Sequence, residues 1–293
     1  MTNSQFLAER FELNRDHMRA VAYRMLGSLS EADDAVQEAW LRLSRSEADT
    51  IDNLGGWLTT VVARVCLDML RARTSRREDE LDERLSALPA QHRSSPNPEQ
   101  ESLLADSVGL ALMVVLDRLA PAERLAFVLH DMFDLSFDEI SAIIGRSPVA
   151  ARQLASRARK RVRSGSAPSP SVSKQRTVVD AFLAALRAGD FNALVSVLDP
   201  GLVVRTDAAS ATSAIPTEIR GAEFWAHQAL KTAQGARAAR AVLINGAVGV
   251  AIAPRGHLFR ALRFTFADGR ISEIDVIGDR AVLSAFDLAL LQD

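Results

Sequence analysis

The sequence predicts a multi-domain protein in which two all-α helical domains are followed by an α+β domain. Apolar residues recur at helical spacing through residues 6–77 and again through residues 108–163, which indicates amphipathic helices. After residue 200 the pattern changes to short runs in which apolar and polar residues alternate, and such runs are typical of half-buried strands. Polar stretches separate the three parts and are predicted to be linkers.

The domain boundaries follow from these changes in composition. They are residues 6–77 and 108–163 for the helical domains, 78–107 and 164–174 for the linkers, and 175–293 for the α+β domain. The first linker opens with three consecutive acidic residues and contains closely spaced prolines, so its composition resists packing. The second consists almost entirely of serine, proline and other small residues.

Individual elements can be placed from the same patterns. In the first helical domain, helices are expected near residues 9–27, 31–45 and 54–73. In the α+β domain we expect a helix pair over 175–199 that turns at Gly189-Asp190, and helices near 218–234 and 279–291. Strands of an antiparallel sheet are expected at 202–206, 241–253, 257–266 and 271–277, with a hairpin turn at 267–270.

Composition narrows the possible functions. The 35 basic and 37 acidic residues give a net charge of −2, so any affinity for nucleic acid must come from local patches. Cys66 is the single cysteine, which excludes an intramolecular disulfide and a cysteine-based zinc site. We expect no metal, cofactor or membrane span, and the N-terminal residues do not resemble a signal peptide. The expected location is therefore the cytoplasm.

Residues 136–163 contain the most informative pattern in the chain, which is two helices joined by a tight turn. Gly145 is expected to end the first helix, because glycine adopts the left-handed conformation at little cost. Ser147 and Pro148 then start the second helix as N-cap and first helical residue. Residues 145–163 include seven basic residues and no acidic one. In a helix-turn-helix, such a second helix enters the DNA major groove. The alternative interpretation is a basic helix that is only exposed to solvent.

The second of these helices has an apolar side and a basic side. Val149, Ala155, Ala158 and Val162 share the apolar side, with Leu154 at its margin, so this side is expected to pack on the domain. The other positions offer hydrogen-bond donors to phosphates and base edges. These candidate DNA-binding residues are Ser147, Arg152, Gln153, Ser156, Arg157, Arg159 and Lys160.

The first helical domain carries two contrasting surfaces. Helix 31–43 can pack inward through Ala32, Val36, Ala39 and Leu43, and its other face carries Asp34, Gln37, Glu38 and Leu41. The helix that follows, within residues 53–73, is apolar early and increasingly basic late. An acidic surface beside a basic, aromatic-containing helix suggests one protein partner and one nucleic-acid partner. A bundle with ordinary charged faces is the alternative.

These motifs resemble a known family. Asp34-x-x-Gln37-Glu38-x-Trp40, followed by Gly56-Trp57-Leu58 and the arginine-rich helix, is similar to region 2 of bacterial sigma factors. Residues 119–129 with the helix-turn-helix after them are similar to region 4. Both motifs in this order, with a linker between them and without a region 3, resemble the extracytoplasmic-function group. The resemblance covers roughly residues 6–163.

The resemblance implies a role for each surface. Asp34, Gln37, Glu38 and Leu41 would bind the β′ clamp helices of core RNA polymerase, and region 4 would meet the β flap. Arg64, Asp68, Arg71 and Arg73 would capture unstacked bases of the minus-ten promoter element. The helix-turn-helix would read the minus-thirty-five element, where an arginine can bond guanine O6 and N7 bidentately. Such a protein is not an enzyme, because the polymerase supplies the chemistry.

The C-terminal domain resembles the SnoaL-like cone fold, which some extracytoplasmic-function sigma factors carry as an extension. The resemblance implies contact with regions 2 and 4 and control of activity. Two motifs of the best-known subgroup are replaced here by residues 88–91 and 207–210. Such a cone can hold a small ligand. Its polar candidates are Asp207, His227 and His257, but the oxyanion donor of related isomerases is missing, since the single tyrosine is Tyr23.

Two other functions remain open at this point. A ligand-responsive regulator could use the same helix-turn-helix without binding polymerase, but this leaves the region 2 motif unexplained. An enzyme in residues 175–293 could be tethered to a DNA-binding module. A measurement of binding to core polymerase distinguishes the ligand-responsive regulator from a sigma factor. A screen for substrate turnover tests for the enzyme.

Overall fold

In a computed structural model the chain divides into two compact units. The first contains Met1–Leu104 and Leu119–Arg159, and the second contains Ala105–Arg118 and Lys160–Asp293. The structure describes residues 3–46, 51–83, 107–163, 170–210, 217–231, 238–253 and 257–291. Each unit is built from two separated stretches of chain, so the compact units do not follow the boundaries expected from composition.

The helices and strands occur in the following order. The helices are α1 (Asn3–Leu26), α2 (Leu29–Ser44), α3 (Leu54–Glu83), α4 (Ser107–Leu116), α5 (Pro121–Phe127), α6 (Phe137–Ile144), α7 (Pro148–Val162), α8 (Pro170–Ala188), α9 (Phe191–Ser196), α10 (Ala222–Lys231) and α11 (Arg280–Ala285). The strands are β1 (Leu198–Thr206), β2 (Glu218–Arg220), β3 (Ala239–Ile244), β4 (Ala247–Ile252), β5 (Arg260–Ala267), β6 (Arg270–Ile277) and β7 (Leu288–Ala289).

The first unit is helical throughout its described residues. Helices α1, α2 and α3 pack on one another around fully buried side chains such as Met18, Leu43 and Leu58. Ser28 caps α2, since its hydroxyl accepts a hydrogen bond from the N–H of Glu31. Helix α5 continues into a π-helical turn, Val128–Met132, and is followed by α6 and α7. This order confirms the two helical domains that precede the α+β domain.

The second unit is built on a seven-stranded sheet with the order β2-β1-β6-β5-β4-β3-β7. Helices α8, α9 and α10 cover one face of it around Phe182, Trp225 and Leu202. The rings of Phe182 and Trp225 stack with centroids 5.8 Å apart, and Phe264 meets Phe182 edge-on at 5.4 Å. Aromatic rings therefore fill the space between helices and sheet, and the α+β class is confirmed.

Three details of this unit differ from the expected elements. Strand β1 runs parallel to β6, so the sheet is mixed rather than antiparallel. Residues 241–253 form a hairpin, because Asn245 and Gly246 both have positive φ values, 52° and 81°, and make a two-residue turn between β3 and β4. The segments 218–234 and 279–291 each contain a strand as well as a helix, which are β2 with α10 and α11 with β7.

Helix α4 belongs to the second unit, where it packs against β3 and β7. Four consecutive residues from Met113 to Leu116 are at most 1% exposed, so this apolar helix is enclosed on all sides. Arg118, just after it, donates a hydrogen bond to the carbonyl of Leu283 at 2.8 Å. The end of α7 is held in the same unit, since the N–H of Leu290 donates to the carbonyl of Val162 at 3.1 Å.

Candidate nucleic-acid interface

The turn between α6 and α7 has the geometry expected of a helix-turn-helix. Ser136 and Glu139 form a capping box at the start of α6, with each side chain bonding the backbone N–H of the other. Gly145 ends α6 in the left-handed conformation at φ 71°. Ser147 then accepts a hydrogen bond from the N–H of Ala150 at 3.2 Å and starts α7. The turn is therefore fixed by caps on both of its sides.

Helix α7 presents a polar face to solvent and buries an apolar one. The buried residues are Ala151, Leu154, Ala155, Ala158 and Val162. The expectation that Val149 shares this face is wrong, since its side chain is 61% exposed and Ala151 and Leu154 pack instead. Val149 lies in the first turn of α7 on its solvent side, whereas Ala151 in the same turn is buried. The candidates Ser147, Arg152, Gln153, Ser156, Arg157 and Lys160 are exposed, and Arg159 is half-buried.

Three arginines of α7 are oriented by other side chains, two by carboxylates and one by an aromatic ring. The Nε of Arg157 donates to Oε1 of Glu123 at 3.1 Å, and the Nε of Arg159 donates to Oδ1 of Asp131 at 2.6 Å. The guanidinium of Arg152 lies over the ring of Phe137, 5.2 Å from its centroid. Sequence reasoning did not identify these partners, because Glu123 lies 34 residues before Arg157 and Asp131 lies 28 residues before Arg159, and only the fold brings them close.

The outer face of α2 is continuous along the helix. Asp34, Gln37 and Leu41 are exposed and Glu38 is half-buried, which places the four candidates on one side at helical spacing. The opposite side is buried through Ala32, Ala35, Val36, Ala39 and Leu43. Glu38 forms an ion pair with Arg42, one turn later, at 3.0 Å. Leu41 is 39% exposed, an apolar side chain on an otherwise polar surface.

The structure divides the four candidates on α3 into two groups. Arg64, Asp68 and Arg71 are exposed and follow one another at helical spacing, so they share a face. Arg73 points the other way, where it bonds the carboxylate of Glu31 and donates to the carbonyl of Leu26 at 3.2 Å. Its side chain is only 19% exposed. Arg73 therefore ties the start of α2 and the end of α1 to α3.

The polar candidates of the α+β domain have separate surroundings. Asp207 accepts backbone hydrogen bonds from Ser210, Gly278 and Asp279 at 2.7–2.8 Å. His227 packs on the ring of Phe191 with centroids 4.4 Å apart. His257 Nδ1 lies 3.2 Å from Oδ1 of Asp117. Each residue has its own neighbours, so the described residues do not bring the three together into one site.

Four remaining expectations concern the linker motif, a membrane span, a metal site and the single cysteine. Residues 88–91 lie outside the described residues. Within the described part of the chain, no helix has the length and apolar character to cross a membrane. In the same residues, no three His, Cys, Asp or Glu side chains are grouped as metal ligands would be. Burial raises the pKa of Cys66 to about 12, although the positive charges of Arg124 and Arg73 act to lower it. The thiol therefore stays protonated and inert at neutral pH.

Comparison with known proteins gives a consistent result for both helical parts. Residues 10–76 match the family model of sigma-70 region 2, and residues 109–162 match sigma-70, region 4. The chain is 36% identical to the probable ECF RNA polymerase sigma factor SigI of Mycobacterium tuberculosis over 241 residues, covering 78% of this chain and 80% of that protein. It is 39% identical to the ECF RNA polymerase sigma factor SigJ of the same species over 218 residues, covering 73% and 69%.

A crystal structure of SigJ from Mycobacterium tuberculosis matches 94% of this chain and 97% of that one, at 33% identity and a TM-score of 0.45.

Proposed function

Since this chain belongs to the extracytoplasmic-function RNA polymerase sigma factors, we propose that its three exposed surfaces divide promoter-specific initiation among them. One surface binds core polymerase, one captures the melted minus-ten element, and one reads the minus-thirty-five element as duplex. The protein supplies recognition and strand opening and acts where the polymerase acts, in the cytoplasm. It is not an enzyme.

The α2 face is the proposed contact with the β′ clamp helices. Asp34, Gln37 and Glu38 supply acceptors and a negative charge, and Leu41 supplies an exposed apolar group at the same surface. Polar residues around a desolvated apolar anchor are the usual composition of a protein interface. The helical module that contains α5–α7 would meet the β flap.

The α3 face with Arg64, Asp68 and Arg71 is the proposed site for unstacked minus-ten bases. Two guanidiniums can stack on bases and meet phosphates, and the carboxylate of Asp68 can accept hydrogen bonds from a base edge. Arg73 was expected to take part as well. Its contacts with Glu31 and Leu26 favour a supporting role, in which it fixes the helix that carries the other three.

The observation that carries the proposal is the helix-turn-helix itself. Gly145 and Ser147 set the turn, the apolar side of α7 is buried, and its polar side is open to solvent. This is the arrangement in which a recognition helix can enter the major groove. Arg152 and Gln153 lie in the first half of α7, and Ser156 and Arg157 lie just past its middle. We assign these four side chains to base edges and Lys160, which follows them, to phosphates.

We further propose that the C-terminal domain modulates these activities. The sheet, α4 and the last residues of α7 occupy one compact unit, although α4 and α7 both fall within the matched region 4. The bonds from Arg118 to Leu283 and from Leu290 to Val162 support this coupling. A conformational change in the sheet domain would therefore act directly on α4 and α7 of region 4. A small ligand of that domain would act through the same elements.

The test is transcription in vitro from the protein's own upstream region, with core polymerase and the full chain. Specific transcripts that require the protein would support the proposal. Duplex binding without any affinity for core polymerase would instead favour a ligand-responsive regulator. The full-length variant Leu290→Pro gives the sign of C-terminal control, since proline removes the N–H that bonds Val162.

A further inference from the structure

We propose that Glu123 is a positioning residue for promoter reading, which holds the guanidinium of Arg157 in the orientation that reads a guanine of the minus-thirty-five element. This inference rests on the proposed function, because it concerns how one of the base contacts assigned to α7 obtains its specificity. The two side chains lie on α5 and α7, within the same compact unit.

The pair is asymmetric in its burial. Glu123 belongs to the first turn of α5 and is buried, whereas Arg157 lies on the exposed side of α7. Burying a charge is costly even when it is paired, so an apolar side chain of similar size often stabilises a protein equally well. Stability alone therefore gives no reason for a carboxylate at position 123. The orientation that it imposes on its exposed partner gives one.

The atoms that form the bond determine which edge of the guanidinium faces outward. The Nε of Arg157 donates to Oε1 of Glu123 at 3.1 Å. Because the guanidinium is planar and its five N–H groups have fixed directions, holding Nε also fixes the directions of Nη1 and Nη2. The end-on edge, with one N–H from each Nη, is a fork of two donors. In the major groove guanine presents two acceptors, O6 and N7, to such a fork, whereas adenine presents an acceptor beside a donor.

The carboxylate also reduces the attraction of this arginine to phosphates. Glu123 compensates the charge of Arg157, so the pair gains little from the counterion release that accompanies a phosphate contact. Without the carboxylate, the same guanidinium on its long side chain could turn to the nearest phosphate, and such contacts carry no sequence information. Glu123 therefore lowers non-specific affinity and favours base discrimination.

The neighbouring pair of Arg159 and Asp131 supplies a matched control. Arg159 is half-buried, and its Nε donates to Oδ1 of Asp131 in the π-helical turn at 2.6 Å. Asp131→Asn removes one carboxylate beside α7, as a substitution of Glu123 does. It leaves the contact of Arg157 intact. The two substitutions therefore have similar electrostatic effects, and only the one at position 123 changes the orientation of Arg157.

Selection from a pool of randomised duplexes identifies the base that each side chain reads. The full chain is immobilised and mixed with core polymerase and the pool, and the retained DNA is sequenced for the wild type and for each variant. Arg157→Ala should lose a guanine preference at one position. Glu123→Leu should reduce the preference at that same position by about fivefold or more and leave the other positions unchanged. Asp131→Asn should keep the guanine.

Glu123→Gln tests the bond more finely. Its side-chain oxygen can still accept the hydrogen bond from Nε of Arg157, but without the negative charge the bond is weaker. We therefore expect a guanine preference between those of the wild type and Glu123→Leu. Such a graded order is expected of a residue that acts by holding its partner.

Affinity for random-sequence duplex separates positioning from folding. Glu123→Leu should bind such DNA more tightly, with a slope of log affinity against log salt that is steeper by up to about 1, because the charge of Arg157 becomes available to phosphates. Asp131→Asn should show a similar gain. Weaker binding of Glu123→Leu to random and selected DNA alike would make Glu123 a structural residue only and would overturn the proposal.

Two further results would also overturn it. One is an unchanged guanine preference in Glu123→Leu, and the other is a selected sequence that Arg157→Ala does not alter at any position. Retention of core polymerase on the same immobilised chain tests the proposed function separately. A guanine preference that Glu123→Leu relaxes, without retained polymerase, would support the role of Glu123 and refute the sigma-factor assignment.

Discussion

The guanidinium of Arg157 lies 3.1 Å from the carboxylate of Glu123, and the two side chains differ sharply in exposure. Arg157 is 59% exposed, while Glu123 is only 7% exposed. Arg157→Ala removes a cationic partner from a buried carboxylate, so we expect it to destabilise the helix-turn-helix by about 1 kcal/mol, allowing for solvent screening. Urea denaturation followed by circular dichroism measures this.

The double variant Glu123→Gln with Arg157→Ala is the control for that prediction. It removes the negative charge together with its partner, so the stability should recover in part. A double variant as unstable as the sum of its single changes would show that the two side chains do not interact.

Leu41→Ala should weaken binding to core polymerase by about tenfold, because it removes the apolar group of the α2 face without changing the core of the domain. Leu13→Ala is the matched control, since Leu13 is also an exposed leucine, at 85%, but lies on α1. Binding of labelled protein to core polymerase measures both. Equal effects of the two substitutions would contradict the assignment of this surface.

Arg152 and Lys160 should contribute differently to duplex binding. Arg152→Ala is expected to cost about 1–3 kcal/mol on the cognate minus-thirty-five element and little on other sequences. Lys160→Ala should weaken binding to all sequences alike and lower the slope of log affinity against log salt by about 1. Fluorescence anisotropy over a range of salt concentrations distinguishes them. If Arg152→Ala lowered the affinity for all sequences equally, the guanidinium of Arg152 would contact a phosphate and not a base.

Asp207 stabilises the sheet domain in a pH-dependent way. Partial burial raises the pKa of Asp207, but hydrogen bonds from Asp279, Gly278 and Ser210 outweigh it and bring the pKa below its ordinary value. The stabilisation is therefore present at neutral pH and is lost as pH falls through the folded pKa. Asp207→Asn should lower stability by about 0.5–1 kcal/mol at pH 7, allowing for solvent screening of this partly exposed carboxylate.

The difference between the wild type and Asp207→Asn should vanish in acid, below the usual aspartate range of about pH 4. Urea denaturation monitored by tryptophan fluorescence at several pH values checks this, because Trp225 reports on the same unit. Asp199→Asn is the control, since Asp199 accepts one backbone hydrogen bond, from Gly201, near the start of β1. A difference that persists in acid would mean that the charge of Asp207 is not responsible.

Local signals in the sequence predicted the caps and turns well. Gly145 with Ser147 marks the helix-turn-helix, and Gly189 ends α8 at φ 71° as expected. The pair Asn245-Gly246 is a strong hairpin signal that a reading of residues 241–253 as one strand overlooked. These features depend on a few neighbouring residues, which is why they are visible in the chain.

Features that depend on distant parts of the chain were not predictable. Glu123, the partner of Arg157, lies 34 residues earlier in the chain. The side chain of Arg124 donates to the carbonyl of Arg24, which lies 100 residues earlier. Arg73 shows the same limit, because a basic residue on a helix that is predicted to bind DNA can equally hold two helices together. The parallel pairing of β1 with β6 also joins segments about 70 residues apart.

The placement of α4 has a consequence for how this protein can evolve. A sigma factor and an appended domain with separate cores could exchange or discard the appendage by recombination. Here Met113, Val114, Val115 and Leu116 are buried, and the helix that carries them packs against β3 and β7 of the sheet. Exposing even two such side chains costs about 3–6 kcal/mol, a large part of a typical domain stability of about 5–15 kcal/mol. Loss of the sheet domain would leave α4, a helix within the matched region 4, without the strands on which it packs, so we expect the two parts to be inherited together.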